Sequence, residues 1–262
     1  MQKYETLELQ ILERGVATVI LNRPNVHNAM NDRMIRELTD VFEHLTRGDE
    51  IRLVCLKANG LNFCAGADLN WMRSVKDKTY EENHSGSIEL YNMFETIKKC
   101  RHPVLSSVQG SVYGGGLGLL AVSDYVITDS QCNFCFSELK LGLLPATISP
   151  VIIEKIGYSA ANALFLSARL FDADYALTIG LTHQVSKNLD LDTPKLIQSF
   201  LKTAPQASVI CKKMARDVSQ GLSDPRKHTT TLITTARMSL EGQEGIQAVL
   251  DKRTPQWVKT DK

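Results

Sequence analysis

Apolar and polar positions alternate at the start of the chain and predict a β-hairpin. Leu7, Leu9 and Ile11 share one face of the first strand, Gly15 interrupts the alternation, and residues 16–21 resume it. The chain therefore opens with two strands joined by a turn.

A helical pattern follows the hairpin. Asn31 offers an N-cap, and the apolar residues after it recur at spacings of three and four, which places them on one face of a helix. These residues are Met34, Ile35, Leu38, Val41, Phe42 and Leu45. A strand is then predicted over residues 51–57. The order is strand, strand, helix, strand.

Similar units recur through the middle of the chain. A helix with an apolar face is predicted to end at His102-Pro103, and its face comprises Ile88, Tyr91, Phe94 and Ile97. The segments predicted after it are a strand over 104–108, a glycine-rich turn, a helix over 115–123, and strands over 125–128 and 133–136. The fold class predicted is therefore α/β, built from repeated strand-strand-helix units, although no literal sequence repeat accompanies the pattern.

The last part of the chain is predicted to be helical. Strands become rare after Ile148, and Asp192-Thr193-Pro194 is expected to cap the first of several helices. We therefore divide the chain into a core over residues 1–190 and a helical oligomerisation region over 191–262. This region is expected to pack on the core, on a neighbouring subunit, or on both.

Composition and charge narrow the classes of partner. The 262 residues include 30 basic and 29 acidic side chains, so the net charge is +1. A near-neutral chain has no general attraction for nucleic acid or for an anionic membrane, which makes a small molecule the expected partner. No run of about 18 apolar residues is present, and the first residues lack the order of a signal peptide, so a cytoplasmic location is expected. The six cysteines are expected to be reduced.

Three familiar kinds of chemistry find little support. Cys132 and Cys135 have the spacing of a metal or redox pair, but the alternation around them indicates a strand and packed thiols. The six histidines show no helical pairing and no serine-nucleophile motif is present, so neither a metal site nor a serine hydrolase is expected. Residues 116–121 fit a dinucleotide fingerprint, with Glu138 as the ribose-binding acid, but seven residues separate them from the strand predicted to end near Val108.

Two glycine-rich stretches carry more information. Residues 62–69 and 109–116 each follow a strand, and Gly115 lies where a helix is predicted to begin. A free backbone N–H at a helix start, together with a second one from the other stretch, would form an oxyanion hole. The alternative is that these glycines serve tight turns and close packing of helix on strand.

Six motifs in order resemble the crotonase superfamily, also called the enoyl-CoA hydratase/isomerase family, over nearly the whole chain. They are LNRP at 21–24 with NAM at 28–30, FCAGADL at 63–69, QG at 109–110 with GGG at 114–116, SD at 123–124, FSELKLGLLP at 136–145, and EGI at 244–246 leading to KR at 252–253. The resemblance implies a crotonase-like spiral of ββα units with a C-terminal helical trimerisation region. It also implies an acyl-CoA thioester substrate, a homotrimer or a dimer of trimers, and no cofactor or metal beyond the coenzyme A of the substrate.

The resemblance assigns roles to residues. The amides of Ala67 and Gly115 would hold the thioester oxygen, and Glu138 would be the catalytic acid/base. The residues implied in binding substrate or coenzyme A are Arg23, Asn28, Ala65, Gly66, Asp68, Gly114 and Pro145. Well-studied family hydratases use two glutamates, but Gly118 stands where the first would be. That difference suits a double-bond isomerase, in which one base moves a proton between two carbons.

The local sequence resembles a subgroup, the bacterial methylglutaconyl-CoA hydratases of leucine breakdown. The matching stretches are CAGADLNWM at 64–72, SE at 137–138, GL at 142–143 and PATISPV at 145–151, and the subgroup also has glycine at the first glutamate position. We therefore expect a hydratase of a branched 2-enoyl-CoA, with an isomerase as the alternative and a non-catalytic acyl-CoA-binding subunit as the alternative of another class. Arg73, Lys76 and Lys140 are the candidate cations for a distal substrate carboxylate.

Overall fold

A computed structural model describes residues 3–12 and 14–258. Its strands are β1 (Leu7–Leu12), β2 (Val16–Leu21), β3 (Leu53–Ala58), β4 (Val104–Val108), β5 (Ser111–Tyr113), β6 (Tyr125–Asp129), β7 (Asn133–Cys135), β8 (Phe171–Asp172) and β9 (Gln184–Ser186). Its helices are α1 (Asp32–Arg47), α2 (Leu69–Ser74), α3 (Tyr80–Lys99), α4 (Gly115–Ala121), α5 (Ser149–Ser167), α6 (Ala173–Thr178), α7 (Leu189–Leu201), α8 (Pro205–Ser219), α9 (Pro225–Met238) and α10 (Leu240–Leu250). The α/β prediction is confirmed.

The strands form two sheets. The larger has the order β1-β2-β3-β4-β6-β9, in which only β1 and β2 are antiparallel, as the predicted hairpin requires. The smaller has the order β5-β7-β8, with β5 and β7 parallel. Strands β4 and β6 lie in the large sheet, while β5 and β7, which follow them directly, lie in the small one. The pairs β4-β5 and β6-β7 therefore divide between the two sheets, whereas the hairpin β1-β2 stays in the large sheet. Strand β5 lies where the sequence predicted only a glycine-rich turn.

Helix α1 shows why the sequence pattern succeeds at the start of the chain. The side chain of Asn31 accepts a hydrogen bond from the Met34 N–H at 2.9 Å and caps the helix. All six apolar residues of the predicted stripe are buried. They pack with the strands of the large sheet in one hydrophobic core, so the helix is held by its apolar face.

Two helical predictions need correction. In α3, Phe94 and Ile97 are buried, but Ile88 and Tyr91 are 47% and 41% exposed, because the first half of this helix extends beyond the core. The cap predicted at 192–194 is wrong. Helix α7 begins three residues earlier, where the side chain of Asn188 accepts a hydrogen bond from the Leu191 N–H, and Pro194 lies inside the helix.

The C-terminal helices are present, but the chain itself covers little of their surface. Within the described part of the chain, α8 and α9 contain no buried residue and α10 contains only Ala248. An apolar groove of about 780 Å³ runs between them and ends at Trp257. Residues 259–262 of the predicted oligomerisation region, and Met1 and Gln2 at the predicted leaderless start, lie outside the described residues. Among the described helices, none has the length and apolar character to cross a membrane.

Candidate active site

A cavity of about 670 Å³ lies where several chain segments that follow strands converge. The turn after β2, the segment after β3, the start of α4 and the turn after β7 all contribute to its wall. The predicted site residues that line it are Ala65, Gly66, Ala67, Asp68, Gly114, Gly115, Glu138 and Pro145. The two glycine-rich stretches, which are distant in sequence, therefore face one space.

The backbone around Ala67 and Gly115 leaves two N–H groups free to bind an oxygen. Ala67 forms an isolated parallel bridge with Met30, in which the Met30 N–H donates to Gly66 O at 2.7 Å and the Asp68 N–H donates to Met30 O at 2.8 Å. Gly115 is the first residue of α4 and has no helical carbonyl before it. In the described residues neither N–H donates to a protein acceptor. The arrangement fits an oxyanion hole.

The two stretches approach each other so closely that only small residues fit. A Cβ placed on Gly66 would lie 3.3 Å from Tyr113 O, and one on Gly116 would lie 2.9 Å from the Cβ of Cys64. Gly66 also has a φ of 89°, which side chains other than hydrogen rarely allow. The packing role considered for these glycines is therefore real. It does not compete with the oxyanion hole, since close packing is what brings the two free amides to one cavity.

Glu138 lines the same cavity as Ala67 and Gly115. It begins a short 3-10 turn after β7, and its carboxyl approaches the glycine-rich helix start, where a Cβ on Gly114 would lie 3.1 Å from Glu138 Oε1. The other carboxyl oxygen, Oε2, is buried and has no hydrogen-bond partner among the described residues. Burial raises the pKa of this carboxyl above its ordinary value, although a hydrogen bond from its own backbone N–H acts in the opposite direction. A half-buried carboxyl with an unused oxygen is suited to proton transfer.

Gly118 shows why a second carboxyl is missing from this cavity. A Cβ on Gly118 would lie 2.6 Å from Phe94 Cε1 and 2.8 Å from Ile148 Cγ2. Both of these side chains are buried. The space beside Gly118 is thus filled by apolar side chains of two other segments, and a larger residue at 118 would require Phe94 and Ile148 to move.

Arg23 and Asn28, which the sequence placed among the coenzyme A-binding residues, do not line the cavity. The Asn28 side chain is fully buried: its Oδ1 accepts from the Arg23 N–H at 2.7 Å, and its Nδ2 donates to Asn59 O and Asn62 O, each at 2.8 Å. The amide group of Asn28 therefore makes its hydrogen bonds within the protein. Both residues instead support the loop that carries Met30.

Asp68 is held by protein groups although it lines the cavity. Its Oδ2 lies 2.8 Å from Arg23 Nη2, and its Oδ1 accepts from the N–H of Asn70, which caps α2. Burial alone would raise the pKa of Asp68, but the hydrogen bonds from Arg23 and from the Trp71 and Asn70 amides outweigh it and lower that pKa. The ionised carboxylate therefore fixes the segment that presents the Ala67 amide.

Several lining residues were not identified from the sequence as site residues. Met30 pairs with Ala67, and its Sδ would lie 3.1 Å from a Cβ on Gly115; only its place in the NAM motif could have pointed to it. His27, Trp71 and three exposed leucines of the 138–145 region also line the cavity, and these leucines are Leu141, Leu143 and Leu144. Of the three candidate cations, only Arg73 lines it.

The alternative chemistries gain no support. Cys132 and Cys135 are buried, burial raises the pKa of the Cys132 thiol to about 12, and no cluster of three metal-ligating side chains occurs in residues 3–12 and 14–258. The spacing argument against a dinucleotide site was wrong, because β5 ends only two residues before α4. The reason against such a site is packing instead. Gly116 and Gly118 are enclosed by protein side chains and leave no room for a pyrophosphate.

Comparison with known proteins defines the class. A model of the family "Enoyl-CoA hydratase/isomerase" matches residues 12–260. The fold is similar to the crystal structure of an enoyl-CoA hydratase from Shewanella pealeana, with a TM-score of 0.92, 38% identity and 97% of both chains covered. The sequence is 32% identical to enoyl-CoA hydratase AKT6-1 of Alternaria alternata, over 84% of this chain and 72% of that protein. It is 31% identical to 1,2-epoxyphenylacetyl-CoA isomerase of Escherichia coli, over 95% and 97%.

The chain belongs to the enoyl-CoA hydratase/isomerase family, and its fold is that of the crotonase superfamily. This confirms the resemblance inferred from the six motifs. The relatives include proteins named as hydratases and one named as an isomerase, so the family alone does not choose the reaction.

Proposed function

We propose that the protein is a hydratase that adds water across the double bond of a branched 2-enoyl-CoA, and that Glu138 is its only catalytic carboxyl. The observation that carries this proposal is the unpartnered Oε2 of Glu138, a residue that lines the same cavity as Ala67 and Gly115 with their free amides. No separate cofactor takes part, because the thioester itself supplies the activated double bond.

The reaction needs one base and one oxyanion site. The amides of Ala67 and Gly115 hold the thioester oxygen, which draws electrons from the double bond toward it. Glu138 takes a proton from water while the water oxygen bonds to C3, and the electron pair of the double bond passes to the thioester oxygen as an enolate. Glu138 then returns a proton to C2, and the thioester carbonyl is restored. One carboxyl thus completes the cycle unchanged.

The preferred substrate is 3-methylglutaconyl-CoA, an intermediate-sized branched thioester with a distal carboxylate. The cavity wall offers apolar contact from Leu143 and its neighbours, and a single unpaired guanidinium from Arg73. Within the described residues, Arg73 has no ion-pair partner and lines the cavity, whereas Lys76 and Lys140 do not line it. A guanidinium binds a carboxylate in a bidentate manner, which favours an acyl group that ends in one.

The second candidate is a double-bond isomerase. Gly118 favours it, because an isomerase needs one base and the cavity has one. A third, of another class, is a subunit that binds acyl-CoA without converting it. The retained Glu138 and the two free amides argue against that candidate.

Separate assays of a 2-enoyl-CoA and a 3-enoyl-CoA decide the reaction. The panel should contain 3-methylglutaconyl-CoA, crotonyl-CoA, a longer branched glutaconyl thioester and a 3-enoyl-CoA, with products identified by mass. A hydratase gives a 3-hydroxyacyl product, 18 mass units heavier than its substrate by the addition of water. Conversion of the 3-enoyl-CoA without gain of mass would favour the isomerase, and tight binding of every thioester without turnover would favour the non-catalytic subunit.

Substitution of Arg73 tests the acyl preference. Arg73→Met is expected to reduce kcat/KM for 3-methylglutaconyl-CoA about tenfold, equivalent to about 1.4 kcal/mol, and to leave crotonyl-CoA unchanged. Lys76→Met is the matched control, because it removes a nearby cation that does not line the cavity. Equal losses for the two substrates, or equal effects of the two substitutions, would contradict the role of Arg73.

We also propose that the cytoplasmic enzyme assembles as a homotrimer or as a dimer of trimers, in which neighbouring subunits cover the apolar groove of α8 to α10. Leu240 and Val249 line this groove and are 92% and 75% exposed in the single chain, and a contiguous exposed apolar patch is typical of an interaction surface. Sedimentation of the purified protein at micromolar concentration tests this: a monomer would contradict it.

A further inference from the structure

Arg23 lies just after β2, outside the cavity wall, and its side chain joins two segments that form this wall. The guanidinium Nη1 donates to the backbone carbonyl of Ala29, and Nη2 donates to Asp68 Oδ2 at 2.8 Å. The side chain of Arg23 is 20% exposed and that of Asp68 only 7%. A planar guanidinium presents its donors as a fixed fork, so one side chain holds both acceptors at a set separation.

The two acceptors flank a pair of residues that are bonded to each other. Ala29 precedes Met30, Asp68 follows Ala67, and Met30 and Ala67 form the isolated parallel bridge. In this bridge Gly66 O accepts from the Met30 N–H. The C=O and N–H of a trans peptide point in opposite directions, so the Ala67 N–H points away from Met30. That direction leaves the Ala67 N–H free for an oxygen in the cavity.

The bridge fixes this direction with two backbone hydrogen bonds and belongs to no longer ladder. Arg23 adds a tie beside it and is itself held, because its N–H donates to Asn28 Oδ1 at 2.7 Å and its carbonyl accepts from the Asn28 N–H at 2.9 Å. Asp68 Oδ1 accepts in turn from the Asn70 N–H at 2.8 Å. The guanidinium therefore joins the turn after β2 to the start of α2, immediately after Ala67.

We propose that Arg23 is a positioning residue of the oxyanion hole: by joining Ala29 to Asp68, it holds the Ala67 N–H in the direction that polarises the thioester carbonyl. The inference rests on the proposed function, which assigns this amide to the thioester oxygen. In this role Arg23 acts through Asp68 and touches no reacting atom. The family resemblance implies a different role, the binding of coenzyme A, and the two roles predict different measurements.

The infrared stretch of the thioester carbonyl reports its polarisation. Butyryl-CoA, labelled with carbon-13 at the carbonyl and bound at saturating concentration, has no double bond, so neither hydration nor isomerisation takes place. In the parent protein its stretch is expected at a lower frequency than in free butyryl-CoA, because the two amides weaken the C=O bond. Arg23→Met is expected to lose about half of this shift, since one of the two donors is no longer directed at the oxygen.

Two outcomes of this measurement contradict different claims. A shift that is the same in Arg23→Met as in the parent protein would overturn the positioning role alone. A parent protein in which the bound carbonyl shows no shift would overturn both the oxyanion hole of the proposed function and this inference. Arg33→Met is the matched control, because Arg33 pairs with Glu5 at the surface, and it should keep the parent shift.

Binding of two saturated thioesters separates positioning from coenzyme A binding. Butyryl-pantetheine lacks the phosphates and the adenosine of butyryl-CoA, so an arginine that binds a phosphate affects butyryl-CoA alone. Calorimetric titration of Arg23→Met is expected to show the same factor of change in Kd for both thioesters. Weaker binding of butyryl-CoA alone would assign Arg23 to the coenzyme and overturn the inference.

Arg23→Lys keeps the infrared test valid if Arg23→Met does not fold. An ammonium retains the charge next to Asp68, but its donors all lie on one atom and do not reproduce a fork that spans two acceptors. The carbonyl shift of this variant is expected to lie between those of the parent protein and Arg23→Met. A shift equal to that of the parent protein would show that charge alone suffices and would overturn the bridging role.

Discussion

Positions 118 and 138 occupy related places in two consecutive repeats but have opposite surroundings. Strands β5 and β7 are parallel neighbours, with Tyr113 opposite Cys135, and each is followed by a short helical turn that carries one of the two positions. At 138 the side chain is a carboxyl with one unpartnered oxygen. At 118 the space for a side chain is filled by Phe94 and Ile148.

The difference indicates how a repeated unit becomes specialised. The turn after β7 leaves room for a carboxyl, and burial without a partner raises its pKa. The turn after β5 supplies the free amide of Gly115 and then enters the core. Apolar packing therefore fills the position at which the family resemblance implies a first glutamate, and the proposed mechanism assigns the proton transfers to Glu138 alone.

The largest effect is expected at position 138, which carries the unpartnered carboxyl. Glu138→Gln keeps the shape of the side chain but cannot take or return a proton, so turnover of a 2-enoyl-CoA is expected to fall about 10³-fold, or about 4 kcal/mol. Steady-state assays measure the loss, and calorimetric titration with a saturated acyl-CoA serves as control for binding. Turnover within tenfold of the parent protein would remove Glu138 from the proposed mechanism.

The next largest effect is expected at position 118, where apolar side chains fill the space. Gly118→Glu is expected to lower the free energy of unfolding by about 3 kcal/mol or more, because the new side chain must displace Phe94 and Ile148 and bury a charge. Urea unfolding measures it. Gly86→Glu is the matched control, since a Cβ there meets no atom within 4 Å. A stable Gly118→Glu variant with raised hydratase activity would show that position 118 can accept a carboxyl.

A smaller effect is expected at Gly114, which lies next to the carboxyl of Glu138. Gly114→Ala would place a methyl group 3.1 Å from Glu138 Oε1, at a backbone φ of 48°, and is expected to lower kcat about tenfold. Gly221 also has a positive φ, of 85°, but a Cβ there would meet no atom within 4 Å, so Gly221→Ala is the control for a side chain at positive φ. If both variants retain full turnover, the contact with Glu138 has no bearing on catalysis.

The smallest effect is a pH dependence of stability. The unfolded Glu138 has the ordinary pKa of 4.5, and the folded pKa is higher, so the folded state loses stability as the pH rises through the folded value. Glu138→Gln removes that loss, and the variant is expected to be more stable than the parent at pH 8 but not below pH 4.5. Thermal unfolding of both proteins across this range measures the difference. A constant difference would contradict the raised pKa.

Hydrophobic periodicity was sufficient to predict the helices and strands whose apolar face packs on the core of the same chain. The stripe of α1 was predicted residue by residue, and the two strands of the hairpin were predicted as well, although Ile11 on the expected apolar face is 40% exposed. It failed where another contact decides: Ile88 and Tyr91 follow the same spacing as Phe94, yet they extend past the core. Pro194 resembles a helix start, but the side chain of Asn188 already caps that helix.

The prediction of the site succeeded where the signal is local in sequence and failed where it depends on packing. Small residues at strand ends pointed to the two free amides, because a helix start and a glycine-rich turn have local signatures. The family resemblance also implied that Gly118 stands at the position of a glutamate, but it did not indicate that Phe94 from α3 occupies the space, since this depends on helix packing. The family resemblance assigned Asn28 to coenzyme A binding, whereas the three hydrogen bonds of its side chain lie within the protein.

The central claim is that one carboxyl, that of Glu138, performs the proton transfers. The pH dependence of kcat/KM for crotonyl-pantetheine, which lacks the titrating phosphates of coenzyme A, tests it most directly. A single ionisation with a slope of one on the acid side is expected, with its midpoint above 4.5. A slope of two, or a bell-shaped profile that a second carboxyl produces, would contradict the claim.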